Sequence, residues 1–225
     1  MIHQLAAVDK RAKISKNVIV EPFTTIAGDV EIGEGTWIGS NVTIMDGARI
    51  GKNCRIFPGT VISAIPQDLK FDGEDTQTII GDDTTIRECV TVNRGTKALG
   101  YTKIGNNCLI MATSHIAHDC IIGDHVIIVN GCGIAGHVEI GDFTVMGGLS
   151  AVHQFVKIGS HAFVWVPGVK AFQRHPFTLV SADPVEFVIK ARDGFSKALH
   201  SKAQEFPNGK FRASIDGPYG QVPAS

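Results

Sequence analysis

Histidine and carboxylate side chains recur in this chain at spacings that could build a general base. His115, His118 and Asp119 lie within one short segment, and His137 and His153 follow it. A neutral imidazole accepts a proton near physiological pH, and a neighbouring carboxylate can fix its tautomer and stabilise the cation that forms. These residue types therefore predict removal of a proton from a substrate group, provided that the fold brings them together.

Several of these residues are separated by the same distance along the chain. Asp119 and His137 are 18 residues apart, and so are His118 and Gly136. If the chain completes one coil every 18 residues, such pairs stack with their backbones roughly 5 Å apart. Gly136 would then leave a backbone N–H open to a developing oxyanion. The remaining polar residues of the same edge are His115, His153 and Gln154.

Two other interpretations of these histidines were weighed. They could be scattered surface residues, but clustering on one edge of three successive coils favours a functional site. His115, His118 and His137 could instead bind a metal ion, since imidazole is the commonest metal ligand. We favour the general base and expect no metal.

The element that must position these residues is a repeat of six. Every sixth residue from Ile2 to Val164 is apolar, and only Asp68 and Glu74 among the 28 positions break the series. A helix has a period of 3.6 and a single-faced strand a period of 2, so this period fits neither alone. It predicts short edges that turn a corner every six residues, with three edges forming one coil of a solenoid. About nine such coils fit between residues 1 and 164.

The positions two residues before the aliphatic series are small or β-branched, and they share its strand face. Four of the five cysteines, Cys54, Cys108, Cys120 and Cys132, occupy this position, which favours small core side chains over a metal or redox site. Cys89 lies outside this phase. Glycine often follows the aliphatic residue, and we attribute this to corners with unusual dihedral angles.

The repeat is interrupted in two places and then ends. An excursion over residues 63–79 keeps the phase of six, and a loop this long is usually functional. A smaller polar excursion lies near residues 94–102. After Val164 the pattern stops. We therefore expect a β-helix domain over 1–164 and an unrelated segment over 165–225, either short α+β or poorly ordered.

Composition excludes some classes of function. The formal charge of −1 gives no electrostatic argument for nucleic-acid binding. No apolar stretch is long enough to span a membrane, so we expect no stable membrane insertion. The N-terminus enters the repeat at once, which predicts no signal peptide and a cytoplasmic location.

Five separated runs resemble the UDP-N-acetylglucosamine 3-O-acyltransferases, a family of hexapeptide-repeat acyltransferases that begins lipid A synthesis. The resemblance covers residues 1–162. The runs are IPQDLKF (65–71), IRECVTVNRGT (86–96), SHIAHDC (114–120), IAGHVEI (134–140) and GGLSAVHQF (147–155). The family's fold is a left-handed parallel β-helix, and the handedness that we expect comes from this resemblance alone.

The resemblance implies transfer of a 3-hydroxyacyl chain from acyl carrier protein to the 3-hydroxyl of UDP-N-acetylglucosamine. His118 matches the family's catalytic base, Asp119 its orienting carboxylate and Gly136 the N–H that binds the oxyanion. Asp68 matches the residue that reads the acyl 3-hydroxyl. Residues that match sugar-nucleotide or acyl-chain contacts are Gln67, Lys70, His115, His137, His153 and Gln154. A homotrimer with sites between subunits is also implied.

The tail departs from this family. Trp165 and Val166 stand where the family has small residues, and residues 163–220 resemble part of the FAD-binding domain of ferric reductases and NADPH oxidases. On that match the segment 175–178 (HPFT) would contact FAD. The first barrel strands and the nicotinamide domain are missing, however, so we expect no cofactor. A junction of two unrelated sequences near 161–165 is the account that we favour.

Three alternatives to an active O-acyltransferase follow from these observations. A truncated chimera could trimerise without turnover. A related hexapeptide N-acyltransferase would act on an amino sugar. A flavoprotein fragment would bind FAD through the tail.

Overall fold

The computed structural model describes residues 1–164, which form short strands and no helix. The strands, in chain order, are β1 (Ala7–Val8), β2 (Lys13–Ile14), β3 (Ile19–Val20), β4 (Thr25–Ile26), β5 (Val30–Ile32), β6 (Trp37–Ile38), β7 (Thr43–Ile44), β8 (Ala48–Ile50), β9 (Arg55–Ile56), β10 (Val61–Ala64), β11 (Gln77–Ile80), β12 (Thr85–Ile86), β13 (Thr91–Asn93), β14 (Tyr101–Ile104), β15 (Leu109–Ile110), β16 (His115–Ile116), β17 (Ile121–Ile122), β18 (Ile127–Ile128), β19 (Gly133–Ile134), β20 (Glu139–Ile140), β21 (Val145–Met146), β22 (Ala151–Val152), β23 (Lys157–Ile158) and β24 (Phe163–Val164).

Three parallel sheets of eight strands form the walls of the solenoid. The first sheet runs from β1 to β22, the second from β2 to β23 and the third from β3 to β24, and every strand pairs with the strand three later in the chain. Successive strands therefore lie in different sheets, and three strands make one coil. The predicted all-β solenoid is confirmed as a left-handed parallel β-helix.

The aliphatic series fills the interior. Ile38, Ile56, Ile86, Ile110 and Ile134 are all fully buried. Burying side chains of this size contributes about 1.5–3 kcal/mol each to folding. Burial of the series is incomplete at the N-terminal end. Ile2 is exposed there and forms only an isolated β-bridge with Val20.

The small positions also face inward as predicted. Cys54, Cys108, Cys120 and Cys132 are buried and carry free thiols, whereas Cys89 is exposed. Burial raises the pKa of Cys54 and Cys108 to about 11, which keeps these thiols protonated and unreactive at neutral pH. The interpretation of these cysteines as core residues therefore stands.

The explanation offered for the repeated glycines is wrong. The left-handed dihedrals fall two residues further along, at turn positions that include Asn107, Asp119 and His137. At the position after the aliphatic residue, glycine is required by close packing between coils. A Cβ on Gly105 would lie 2.4 Å from the Gly123 carbonyl oxygen of the next coil. These positions admit no side chain because the backbones of stacked coils approach closely there.

Two insertions change the number of coils. Val61 pairs with Thr91, thirty residues later, and Thr91 pairs with His115, twenty-four residues later, instead of eighteen. The extra residues form loops over 65–76 and 94–100, and together they use one coil's length of chain. The helix therefore has eight coils, not about nine. Ala98, which was counted within the aliphatic series, is exposed in the second loop.

Both loops leave the helix at one corner. The 65–76 loop joins β10 to β11 and the 94–100 loop joins β13 to β14, so each connects the first sheet to the second. His118 and Asp119 lie at the same corner, between β16 and β17. Both interruptions of the repeat are therefore on the edge that carries the predicted site.

No helix in residues 1–164 is long and apolar enough to cross a membrane. The expectations for Trp165, Val166, the 175–178 segment and the tail's secondary structure lie outside the described residues.

Candidate functional site

The predicted site residues occupy successive turns of one edge, which we call the histidine corner. It comprises residues 118–119, 136–137 and 154–155, each pair lying in the turn from a first-sheet strand to a second-sheet strand. The register sets the stacking: His115 pairs with Gly133, and Gly133 with Ala151. The 18-residue spacing therefore brings His118 beneath Gly136 and Asp119 beneath His137, as the sequence predicted.

His118 and Asp119 form a buried dyad at this corner. Their side chains are 6% and 0% exposed, and His118 Nδ1 lies 2.8 Å from Asp119 Oδ2. An ionised carboxylate can only accept, so Nδ1 carries the proton and donates it. The other nitrogen, Nε2, is then left with a lone pair that can accept a proton from a substrate.

Asp119 accepts three further hydrogen bonds, all from the 94–100 loop. Thr96 N donates to Oδ1 at 3.0 Å, Thr96 Oγ1 donates to Oδ2 at 2.7 Å, and Leu99 N donates to Oδ1 at 3.2 Å. Burial raises the pKa of the Asp119 carboxyl, but the hydrogen bonds from His118 and Thr96 outweigh it, and the pKa lies below its ordinary value. The carboxylate is therefore ionised at neutral pH.

The His137 side chain lies beside the dyad without hydrogen-bonding to it, although the His137 backbone N–H donates to the His118 carbonyl at 3.1 Å. Its Nε2 is 3.8 Å from Asp119 Oδ2, and its ring meets the His118 ring edge-on with centroids 5.1 Å apart. Phe155 stacks on the other side of His137 at 4.6 Å, with the two rings within 8° of parallel. These contacts fix the His137 ring and leave its side chain partly exposed at the rim of the site.

Gly136 is required by the position of His118. A Cβ at residue 136 would lie 2.6 Å from Cε1 and 2.7 Å from Nε2 of the imidazole. Among residues 1–164, no acceptor takes the Gly136 N–H, although the Gly136 carbonyl accepts from Phe155 N at 3.3 Å. A backbone donor therefore lies close to the basic nitrogen of the dyad.

His115 is held by a neighbouring coil. Its Nδ1 lies 2.8 Å from Thr91 Oγ1. Burial, and to a lesser extent the nearby His118, lower the pKa of the His115 imidazole below its ordinary value. His115 is thus kept neutral beside the dyad.

The other predicted residues are more exposed. His153 and Gln154 are exposed on the coil above, and His153 Nδ1 contacts the Gln154 carbonyl at 3.3 Å. In the 65–76 loop, Gln67 and Lys70 are exposed and Asp68 is half-buried. Asp68 Oδ1 accepts from Lys70 N at 2.9 Å. Within residues 1–164 these loop side chains make no hydrogen bond or ion pair with the dyad.

The possible metal ligands differ from the set that the sequence suggested. Ligand atoms of His118, Asp119 and His137 lie within 4.8 Å of one another. His115 is not in this group, and its Nδ1 contacts Thr91. Because His118, Thr96 and Leu99 already donate to the Asp119 oxygens, the arrangement favours a base–carboxylate pair over a metal centre.

Sequence reasoning missed three residues that shape the site: Thr91, Thr96 and Leu99. Thr96 and Asp119 are 23 residues apart, and the inserted loop removes any simple spacing between them. The signals were the polar excursion near 94–102 and the family-like run 86–96, which contains both threonines, but no partner was predicted for either.

Two family models match the chain. The bacterial transferase hexapeptide model (six repeats) matches residues 29–64 and 101–136. An FAD-binding domain model matches residues 150–223, in agreement with the resemblance of the tail. The first residues of that match, 150–164, contain β22 to β24, which pair with the sheets of the solenoid.

Two curated relatives of the chain are named as the same enzyme. The chain is 44% identical over 165 residues to the acyl-[acyl-carrier-protein]–UDP-N-acetylglucosamine O-acyltransferase of Campylobacter concisus, covering 72% of this chain and 63% of the relative. It is 40% identical over 186 residues to that of Albidiferax ferrireducens, covering 82% and 70%. The chain thus spans less than two thirds of the length of the first of these relatives.

Two solved structures of UDP-N-acetylglucosamine acyltransferases also match the chain. The UDP-N-acetylglucosamine acyltransferase of Campylobacter jejuni matches with a TM-score of 0.69 and 40% identity, covering 72% of this chain and 64% of that one. The Francisella novicida enzyme matches with a TM-score of 0.75 and 38% identity, covering 90% and 73%. With its repeat, its stacked histidine corner and this identity over most of the relatives' length, the chain belongs to the family of acyl-[acyl-carrier-protein]–UDP-N-acetylglucosamine O-acyltransferases.

Proposed function

We propose that this chain transfers a 3-hydroxyacyl group from acyl carrier protein to the 3-hydroxyl of UDP-N-acetylglucosamine, the first step of lipid A synthesis. The observation that carries the proposal is the buried His118–Asp119 dyad, whose basic nitrogen lies next to the backbone of Gly136. The relatives are named for the same donor and acceptor.

The reaction follows from the protonation states of the dyad. His118 Nε2 takes the proton of the sugar 3-hydroxyl as its oxygen attacks the thioester carbonyl carbon, and Asp119 stabilises the imidazolium. The Gly136 N–H stabilises the oxyanion of the tetrahedral intermediate. When the intermediate collapses, the C–S bond breaks and the carrier thiolate takes the proton from His118.

The remaining predicted residues would bind substrates. His115 lies on the strand before the dyad, and His137, His153 and Gln154 lie on the two coils that follow. These four residues would position the sugar nucleotide and acyl chain. Gln67, Asp68 and Lys70 lie on a loop two coils away along the same corner. A homotrimer, in which this loop reaches a neighbouring subunit, would bring them to a site. We propose that the protein acts as this trimer, in the cytoplasm and without a cofactor.

The test is acyl transfer by the full chain from 3-hydroxyacyl-carrier protein to UDP-N-acetylglucosamine, with His118→Ala as control. Turnover that falls at least about a hundredfold in the variant supports the proposal, since a general base contributes typically 10²–10⁴-fold. Equal rates in the two proteins contradict it.

Other outcomes of the same assay identify the alternatives. A preference for an amino sugar that already carries a 3-O-acyl chain would indicate an N-acyltransferase. A trimer with no turnover on either acceptor would indicate an inactive scaffold. Uptake of FAD by the purified protein would contradict the expectation of no cofactor, which the match to an FAD-binding model makes worth testing.

A further inference from the structure

The 94–100 loop is closed on itself and anchored to the preceding coil. Gly100 N donates to the Thr96 carbonyl at 2.7 Å, and Gly95 N donates to the Gln77 carbonyl at 3.1 Å. Arg94 N donates to the Ala64 carbonyl at 2.9 Å. Thr96 is 6% exposed. The insertion therefore presents a buried threonine at a fixed place beneath the histidine corner.

The Thr96 hydroxyl has one possible orientation. It lies 2.7 Å from Asp119 Oδ2, and the ionised carboxylate has no proton to give, so the hydroxyl donates. Its lone pair accepts from Ala98 N at 3.2 Å. The bond to Asp119 is short, as expected when a hydroxyl donates to a charged oxygen.

The carboxylate oxygen that accepts from Thr96 also accepts from His118. Oδ2 accepts from both Thr96 Oγ1 and His118 Nδ1, while Oδ1 accepts from the backbone of Thr96 and Leu99. Four donors thus fix both oxygens, and three of the four come from the insertion. The orientation of the carboxylate, and through it the tautomer and direction of the imidazole, depends on this loop.

We propose that Thr96 is a positioning residue that holds Asp119 in the orientation required to align His118. This inference rests on the proposed function for its kinetic consequences, but the hydrogen-bonded arrangement can be tested without turnover. Removing the hydroxyl should weaken the dyad and leave the substrate-binding residues in place.

The experiment compares Thr96→Val, Thr96→Ser and the matched variant Thr144→Val in the full chain. Thr144 is also buried, and its hydroxyl donates to the Gly159 carbonyl at 3.0 Å away from the dyad. We expect kcat to fall about tenfold in Thr96→Val, the equivalent of the net strength of one hydrogen bond to a charged group, with KM within about twofold. Thr96→Ser and Thr144→Val should each keep kcat within about twofold of the unmodified protein.

The second readout is the Asp119 carboxyl, followed by carbon NMR as pH is lowered. Loss of the Thr96 hydroxyl should raise the pKa of Asp119, because that hydrogen bond lowers it. Thr144→Val should leave it unchanged. If Thr96→Val does not fold, as judged by thermal unfolding, Thr96→Ala removes the same hydroxyl with less bulk.

Two results would overturn the inference: a Thr96→Val kcat no lower than that of Thr144→Val, or an Asp119 titration that does not move. If the unmodified protein shows no acyl transfer, the proposed function fails on its own, and the titration still decides whether Thr96 holds Asp119.

Discussion

The corner between the first and second sheets and the corner between the second and third sheets share one backbone geometry and use it differently. Both place left-handed residues in their turns, such as Asp119 in the first corner and His125 in the second. Both stack rings: His137 on Phe155 in the histidine corner, and His125, Phe143 and His161 in series at 4.7 and 4.9 Å in the other.

The difference lies in the residue before the left-handed one. In four successive turns of the second corner, which we call the Asx corner, this position is Asp82, Asn106, Asp124 and Asp142. Each side chain accepts the backbone N–H of a residue in the preceding coil, as Asp142 Oδ1 accepts from Asp124 N at 2.8 Å. In the histidine corner the same position holds His118, Gly136 and Gln154, and within the described residues none of their side chains accepts a backbone N–H of the preceding coil. Further toward the N-terminus on the same edge there is one such bond, from Asp29 N to Asp46 Oδ1 at 2.8 Å.

The comparison explains where the site's free donor comes from. The ladder would use the Gly136 N–H, and its absence leaves that N–H available to an oxyanion. Asp119 lies one position later than the ladder residues. Its carboxylate accepts from the His118 ring through Oδ2 and from the backbone of the inserted 94–100 loop through Oδ1, so it adds no rung to a ladder between successive turns. The histidine corner lacks this stabilising ladder and instead has a histidine–carboxylate dyad beside a free backbone N–H, whereas the Asx corner keeps the ladder.

The largest expected effect separates the histidines of the two corners. His118→Ala should lower kcat at least about a hundredfold, because it removes the proposed general base. His125→Ala, the matched variant, removes only a ring stacked on Phe143 and should leave kcat within about twofold. Steady-state acyl transfer measures both, and similar losses in the two variants would show that the corners do not differ in function.

A second substitution is designed to add one ladder hydrogen bond to the histidine corner. Asn106 shows that an amide can serve, since its Oδ1 accepts from Asp82 N at 2.8 Å. Gln154→Asn should therefore capture the Gly136 N–H, raise the free energy of unfolding by about 1 kcal/mol and lower kcat about tenfold.

Gln154→Ala is the control, because it removes the same side chain without supplying a short acceptor. It should keep more activity than Gln154→Asn and gain no stability. Equal kcat values for the two variants would argue against a role for the Gly136 N–H.

A third change breaks the ladder where it exists. Asp142→Ala leaves Asp124 N without its acceptor and should lower the free energy of unfolding by about 1 kcal/mol, with kcat within about twofold. Urea unfolding measures the first quantity. Asp142→Asn keeps an acceptor and should recover most of the loss. A large fall in kcat for Asp142→Ala would mean that the Asx corner also takes part in the reaction.

The smallest effect concerns pH. The pKa of His115 is lowered in the folded protein, so the unfolded chain binds a proton first as pH falls below about 6.5. The stability associated with neutral His115 is thus complete above that pH and is lost as pH falls toward the folded-state pKa. Urea midpoints at pH 7.5 and 5.5 should differ less in His115→Asn than in the unmodified protein. An unchanged difference would contradict the role assigned to burial of His115.

Much of the fold could be predicted because the repeat reports side-chain direction residue by residue. Ile56 and Ile110 had to face inward in any solenoid of this period, and Cys108 had to be a small core residue. The meeting of His118 with Gly136 also followed, since parallel stacking in a coil of constant length is fixed by counting. The left-handed sense of the coil came from resemblance, because a period of six is the same for either hand.

Counting failed wherever the coil length changed. Thr96 and Leu99 reach Asp119 only because an inserted loop folds back beneath the corner, and no periodicity encodes the path of such a loop. The glycine at position 105 was assigned to a dihedral angle when it is the approach of the next coil that requires it. The sequence by itself determined the repeat, the core and the stack of histidines. Only the tertiary structure decided what holds Asp119 and which backbone N–H stays free, because those depend on distances between coils.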